Sequence, residues 1–432
     1  MMVAFLLSIK AKKGENNMEV SLANSAFIIM CTAFVFLMTP GLALFYAGME
    51  RRKNALNTMM SCLFICGVGS ILWIAIGYSL SFGADYGGVI GSLSNLFFNG
   101  VGAEPNEAYS STIPESLFAA FQMMFAIITP ALICGAIAGR MRFSALFIFI
   151  TAWSVIVYYP LAHMVWGDGG FIRGLGSVDF AGGNVVHISS GISGLVACIM
   201  LGKRREFGVV SYKPHNIPSV VIGAGLLWFG WFGFNGGSAL AADGLAVHAI
   251  LTTNTSAAMG LLSWMLLEKV LHGKPTVLGA ATGAVVGLVA ITPGAGFVPI
   301  WASMIIGALV SPICYLTITK IKAKFGYDDA LDAFGCHGIG GIWGGIATGL
   351  FTQRSINPAA RWDGLIYGNT KLFVAQILSI VITIVFAAGA SFVILFVMKK
   401  FMNIRVTQEE EAQGLDLIEH NEMAYPSFTG LD

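Results

Sequence analysis

Charge is scarce in this chain. Only 11% of its 432 residues are Asp, Glu, Lys or Arg, against about a quarter in an average soluble domain. A chain so poor in charge cannot cover its surface with polar side chains, so lipid is its solvent. A charge excess of one sign is also missing: the net charge is +1, and nothing points to nucleic acid. Cysteines at metal-ligand spacing are missing too. Cys31, Cys62, Cys66, Cys134, Cys198, Cys314 and Cys336 all lie in or beside apolar runs. They read as small core residues, without a disulfide framework or a metal site. The apolar stretch Met1–Ile9 is too short to span a bilayer, and no small-residue cleavage site follows it. Residues 1–17 are set apart as an N-terminal extension with no assigned role.

What remains is apolar and rich in glycine, with 56% hydrophobic residues and 53 Gly. Small residues let membrane helices approach closely. A spanning helix needs about 20 apolar residues. Eleven such runs are legible, at 22–48, 54–80, 115–138, 143–166, 184–201, 217–240, 246–270, 276–296, 298–320, 333–351 and 371–398. An odd number of spans puts the termini on opposite sides. Arg51, Arg52, Lys53, Arg140, Arg142, Lys203, Arg204, Arg205, Lys320, Lys322 and Lys324 fall on the same side as the C-terminal tail. By the positive-inside rule the N-terminus is outside and the C-terminus cytoplasmic. The longest outer loop, 81–114, holds Asp85, Glu104 and Glu107 without Lys or Arg. It reads equally as an acidic vestibule for a cation or as an ordinary solvated loop.

Two spans share a pattern. The fifth opens DFAGGNVVHISSGISGL, with Asp179 and His187; the tenth opens DAFGCHGIGGIWGGIATGL, with Asp332 and His337. Five spans per unit force tandem copies into opposite orientations, the inverted repeat of many transporters. The expected fold is therefore an all-α integral membrane protein of eleven transmembrane helices, a 5+5 inverted repeat plus a final helix. Its parts are 18–201, 202–351, the last loop and helix 352–400, and a cytoplasmic tail 401–432. A lone histidine inside a span is more often a structural hydrogen-bonder. Two at matching places in inverted halves meet near the pseudo-twofold axis. Neutral imidazoles each carry one donor and one acceptor nitrogen. Such a pair forms an uncharged polar stripe in an apolar tube. Ammonium can release a proton there and cross as ammonia; an alkali ion of similar size cannot.

At these residues the chain resembles the ammonium transporter (Amt/MEP/Rh) family. The likeness covers almost the whole sequence, through TPGLALFYAGMERRKN, FQMMFAIITPALICGA, YPLAHMVWG, KPHNIPSVVIGAGLLWFGWFGFNGGSA, GLVAITPGAGFV and FGCHGIGGIWGG in order. The resemblance implies a homotrimer with one pore per subunit in the plasma membrane, ammonium or ammonia as substrate, no catalysis and no cofactor. It implies Phe121 and Phe125 at the outer pore, Trp153 beside Phe125 at a cation-recruitment site, Ser238 as that site's hydroxyl, and Phe234 as a second gate ring. His187 and His337 follow as the twin histidines. Asp179 is implied as a structural acid near the recruitment site, with Asp332 its counterpart in the second half. Phe125, Trp153 and Ser238 together are more similar to the ammonium transporter branch than to the Rhesus branch. Asn184 stands where relatives often have Thr.

Glu409, Glu410 and Glu411 in the tail read most simply as a solvated helix face. RVTQEEEAQGLD followed by HNEMAY also resembles the family's tail, which implies coupling between subunits and a PII-type signalling partner on the cytoplasmic face. Three other readings stand beside the main one: a Rhesus-like channel for neutral ammonia or carbon dioxide, a haem-binding membrane redox protein, and a pure ammonium sensor.

Overall fold

A computed structural model describes residues 19–210 and 212–425; the extension 1–17 lies outside the described residues. Among the described residues nine helices are long and apolar enough to cross a membrane. They are α1 (Leu22–Met49), α2 (Arg52–Phe82), α3 (Glu115–Ile137), α4 (Phe143–Gly174), α5 (Gly183–Leu201), α6 (Ile217–Gly237), α7 (Gly244–His272), α9 (Ile300–Phe325) and α11 (Thr370–Phe401). Two shorter apolar segments lie between them in the chain: α8 (Val277–Ile291), of 15 residues, and α10, made of Phe334–Gly338 continued by Ile339–Phe351. Each sequence-derived run coincides with one of these segments, but α8 is too short for a full crossing on its own.

Local chemistry explains where the helices begin. Ser21, Asp243, Thr276 and Asn369 accept backbone N–H bonds at the starts of α1, α7, α8 and α11. Large apolar side chains such as Leu63, Val270 and Val385 point away from the protein, as lipid contact requires. Interior contacts depend on glycine. A Cβ added to Gly223 of α6 would strike the backbone of Gly41 and Phe45 in α1. One added to Gly191 of α5 would fall on the backbone of Gly338 in α10. These two helix pairs therefore touch backbone to backbone. Helical hydrogen bonding also widens locally. π-turns occupy Trp73–Gly77, Ser154–Tyr158, Gly183–Ile188, Thr317–Ile321 and Phe334–Gly338. Two of them carry His187 and His337, in keeping with the clustering of such turns at functional sites.

The loop 81–114 folds back as a short hairpin, β1 (Asp85–Tyr86) and β2 (Ile90–Gly91), turned by Gly87 and Gly88 at φ 70 and 74. Its Asp85 bonds His163 Nε2 at 2.9 Å and the Gly88 N–H at 2.7 Å. At the opposite end the tail forms α12 (Gln408–Gln413) and α13 (Leu415–His420). Here the solvated-face reading is corrected. Only Glu409 is exposed. Glu410 completes a capping box with Thr407 and bonds Arg142 at 2.8 Å. The Thr407 N–H, with Arg142 adding to it, holds the Glu410 carboxyl below its usual range. Glu411 is buried, held by Arg405 Nη2 and by the Arg205 N–H, each at 2.8 Å. The helix faces the body of the protein because two fixed donors wait there.

Candidate functional site

A vestibule of about 400 Å³ opens beside the 81–114 loop. Phe125, Trp166, Gln122, Ser238, Asp179 and Arg173 are among its lining residues. Glu104 and Glu107 do not line it, and Asp85 is engaged by His163, so the acidic-vestibule reading finds no support in the loop. Ser238 donates its hydroxyl to the Phe234 carbonyl at 2.8 Å, which leaves its oxygen free to accept. Phe125 and Phe234 close the floor, with ring centroids 4.3 Å apart and planes tilted 37°. Phe121 packs edge-on against Phe125 at 5.0 Å and is buried behind it, not on the vestibule wall.

The expected place of Trp153 is corrected. Trp153 lies fully buried, donating Nε1–H to Ser193 Oγ at 2.8 Å and leaning on Tyr158. The tryptophan that meets Phe125 is Trp166, its centroid 6.0 Å away and its plane at 86°. Thirteen residues of one helix separate the two indoles, about 20 Å of axial rise, so only one can stand at the mouth. Trp166 Nε1 donates to the Asp179 carbonyl at 2.9 Å, which fixes the ring over the vestibule. The motif YPLAHMVWG carries this tryptophan next to its final glycine and is the signal that points to it.

Below the phenylalanines lies a narrow apolar space of about 10 Å³, bordered by Leu42, Ile128, Leu132, Trp231, His187 and His337 among others. That is the room one water-sized molecule needs. His187 stacks under Phe234 at 6.2 Å and beside Trp231 at 5.5 Å. His337 Nδ1 lies 3.4 Å from His187 Nδ1, with the rings 18° from parallel. One nitrogen donates and the other accepts, according to tautomer. His187 Nε2 is buried and has no protein partner among the described residues. The close crossing of α5 and α10 creates this contact. Gly191 abuts Gly338, and a Cβ on Gly341 would stand 3.0 Å from His187 Cβ.

Both histidine turns are held by an aspartate. Asp179 accepts the N–H groups of Gly182, Gly183, Asn184 and Val185 at 2.9, 2.6, 2.8 and 3.4 Å. The same office in α10 falls to Asp329, which accepts from Ala333, Phe334 and Gly335 at 3.0, 2.8 and 3.4 Å. Asp332, the counterpart expected from sequence, instead pairs with Lys322 at 2.7 Å and adopts φ 59. The reason is register: Asp179 and Asp329 each precede their histidine by eight residues, whereas Asp332 precedes His337 by five and its side chain is taken by Lys322. Burial, and then the neighbouring Asp332, push the Asp329 carboxyl up to about 6. Asn184 reaches Ser379 Oγ of α11 at 3.1 Å, a contact within the protein interior.

Fold and site together describe a multi-pass helical membrane protein with an aromatic-floored vestibule above two touching, buried histidines. A model of the Ammonium Transporter Family matches residues 26–425. An ammonium transporter of Bacillus subtilis is 52% identical over 404 residues, covering 94% of this chain and 98% of that one. Ammonium transporter Amt1 of Archaeoglobus fulgidus is 44% identical over 403 residues, 93% of this chain and 99% of that one. The crystal structure of Saccharomyces cerevisiae Mep2 superposes with a TM-score of 0.85 at 37% identity, covering 92% of this chain and 90% of that one. The chain belongs to the ammonium transporter family.

Proposed function

We propose that this protein carries ammonium across the plasma membrane by stripping its proton and conducting ammonia past the twin histidines. The observation that carries the reading is the 3.4 Å contact of His187 and His337 on a space the size of one small molecule. Ammonium is recruited in the vestibule at the corner formed by the perpendicular rings of Phe125 and Trp166, where cation–π attraction is worth about 2 kcal/mol once water is lost. Ser238 Oγ accepts one of its N–H groups. The vestibule alone does not separate ammonium from potassium, which share size and charge. Below Phe125 and Phe234 an ion would lose its hydration, at a cost of many kcal/mol. Ammonium avoids that cost by leaving its proton behind; potassium has no proton to leave. The phenylalanine rings swing aside for passage, and the imidazole edges offer ammonia a donor and an acceptor. The released proton passes to vestibule water; a current signals that it is then carried across separately, and alkalinisation without current that it stays behind.

The eleven segments act as eleven crossings, arranged as an inverted repeat of 18–201 and 202–351 followed by α11, with the C-terminus cytoplasmic. Matching π-turns in α4 and α9 and in α5 and α10, and the equal spacing of Asp179–His187 and Asp329–His337, support that repeat. A homotrimer and a PII-type partner at the tail complete the proposal, with the tail 401–432 as the regulatory segment. Proteoliposomes held on a solid-supported membrane test it: an ammonium jump should give a transient current or an alkalinisation signal. A preparation that moves no ammonium under any gradient rejects it. A Soret band in the purified protein would favour the haem reading instead.

A further inference from the structure

Glutamine is costly inside a membrane helix, because its amide must find partners in a medium that offers none. α11 carries one, Gln376, only 1% exposed. Its partners are backbone groups. Oε1 accepts the Val178 N–H at 2.8 Å, and Nε2 donates to the Val178 carbonyl at 3.0 Å. The same Nε2 lies 3.3 Å from the Gly345 carbonyl of α10. Three residues on, Ser379 Oγ donates to the Gln376 carbonyl at 2.9 Å and accepts from Asn184 Nδ2 at 3.1 Å. Two side chains of α11 thus grip both ends of the stretch 178–184. Inside that stretch sits Asp179, whose carbonyl takes the Trp166 indole. We propose that Gln376 is a positioning residue for ammonium recruitment: by clasping Val178 it sets the Asp179 carbonyl that aims Trp166 at the vestibule.

The chemistry of the stretch explains why an amide stands there. Residues 175–182 lie outside any helix, so their buried N–H and C=O groups have no ladder of their own. The Phe180 N–H goes to the Pro293 carbonyl at 3.0 Å, and the Asp179 carboxylate is spent on the turn that follows. Val178, on the vestibule wall, depends on Gln376 for both of its groups. A side-chain amide offers one acceptor and one donor, so it pairs with Val178 as a neighbouring strand would. A carboxylate supplies acceptors only, and an alkyl chain neither. The two bonds fix the peptide planes on either side of Val178, and the Asp179 carbonyl belongs to the next plane. Trp166 Nε1 has one proton, and it is spent on that carbonyl, so a shift of the stretch carries the indole with it. This role rests on Trp166 recruiting the cation.

Ammonium-jump currents of the full chain in proteoliposomes give each variant a half-saturating ammonium concentration and a maximal current. Gln376→Leu should raise the first about fivefold, the difference between a well-aimed cation–π contact and a loose one, and change the second less. Added to Trp166→Leu it should bring no further rise, because it acts through that ring. Gln376→Glu, whose protonated carboxyl offers the same acceptor and donor, should match the wild type at acidic pH. Unchanged half-saturation in Gln376→Leu overturns the proposal. So does a fall in maximal current alone, the mark of fewer folded molecules, and so do additive rises in the double variant. Should Gln376→Leu fail to insert, the Glu variant decides: impairment at acidic pH overturns the role. Trp166→Leu by itself separates the two levels. If it leaves half-saturation unchanged, recruitment at Trp166 fails; if it raises half-saturation while Gln376→Leu does not, the positioning role alone fails.

Discussion

Trp166 and Trp153 lie on one helix, are both aromatic and bulky, and do unrelated things. Trp166 faces a vestibule and is oriented by the Asp179 carbonyl; Trp153 fills the interior and bonds Ser193. Trp166→Leu should therefore raise the ammonium concentration for half-maximal current by about tenfold or more, the loss of a cation–π contact of about 2 kcal/mol. Trp153→Leu should instead lower the thermal midpoint, a buried large-to-small change of several kcal/mol. Currents and melting curves of the two variants check both outcomes. Asp329 makes a pH-dependent prediction. Its carboxyl is raised to about 6 in the folded protein, above its value of about 4 in an unfolded chain. Between these values the folded state binds more protons, so this group's contribution to stability is full below pH 4 and is lost as pH rises to 6. Asp329→Asn keeps an oxygen for the cap and removes the titration. Its melting temperature relative to the wild type should rise across that window; a constant difference would contradict the assignment. At this scale the sequence showed which residue types matter, through motifs and the oddity of histidine in a span. Which of two tryptophans or two aspartates takes the place depends on helix rise and turn register. Those are three-dimensional facts that adjacency in a motif does not carry.

Among the elements, the α5–α10 crossing decides whether the histidines meet. Gly191 has no room for a methyl group, because Gly338 occupies the space. Gly191→Ala should part the helices, cost about 1–3 kcal/mol through overpacking, and reduce ammonium flux while the protein still inserts. Unchanged flux and melting temperature would show that the crossing is slack. The tail makes a second test. Glu411 is clamped by Arg405 and Arg205, and Leu415 N–H by Asn54 Oδ1 at 2.9 Å. Truncation after Phe401 should disturb transport; wild-type currents would count against a coupling role for the tail. Hydrophobic runs made the helices legible, since length and apolarity alone define a span. The buried face of α12 was not legible. Three adjacent glutamates look solvated until the donors of Arg405 and Arg205, distant in sequence or across a loop, are brought to them.

Across the whole molecule, composition was the most informative property. A chain with 11% charge and eleven apolar runs has few folds open to it, and the helical membrane body followed. The family likeness then named the site. Less accessible was how the parts divide the work of selectivity. The vestibule has cation–π faces and one free hydroxyl oxygen, which any monovalent cation of the right size can use. The narrow space beneath has two imidazole rings and apolar walls. Discrimination on this account belongs to the passage from one to the other, not to either site by itself.

The most direct test is current recording in proteoliposomes under separate ammonium and potassium gradients, for the wild type, His187→Ala and His337→Ala. The wild type should respond to ammonium and not to potassium. Each histidine variant should lose ammonium flux or begin to pass potassium. Wild-type rates and wild-type selectivity in both variants would contradict the claim that the histidine pair is where ammonium is told apart from an alkali ion.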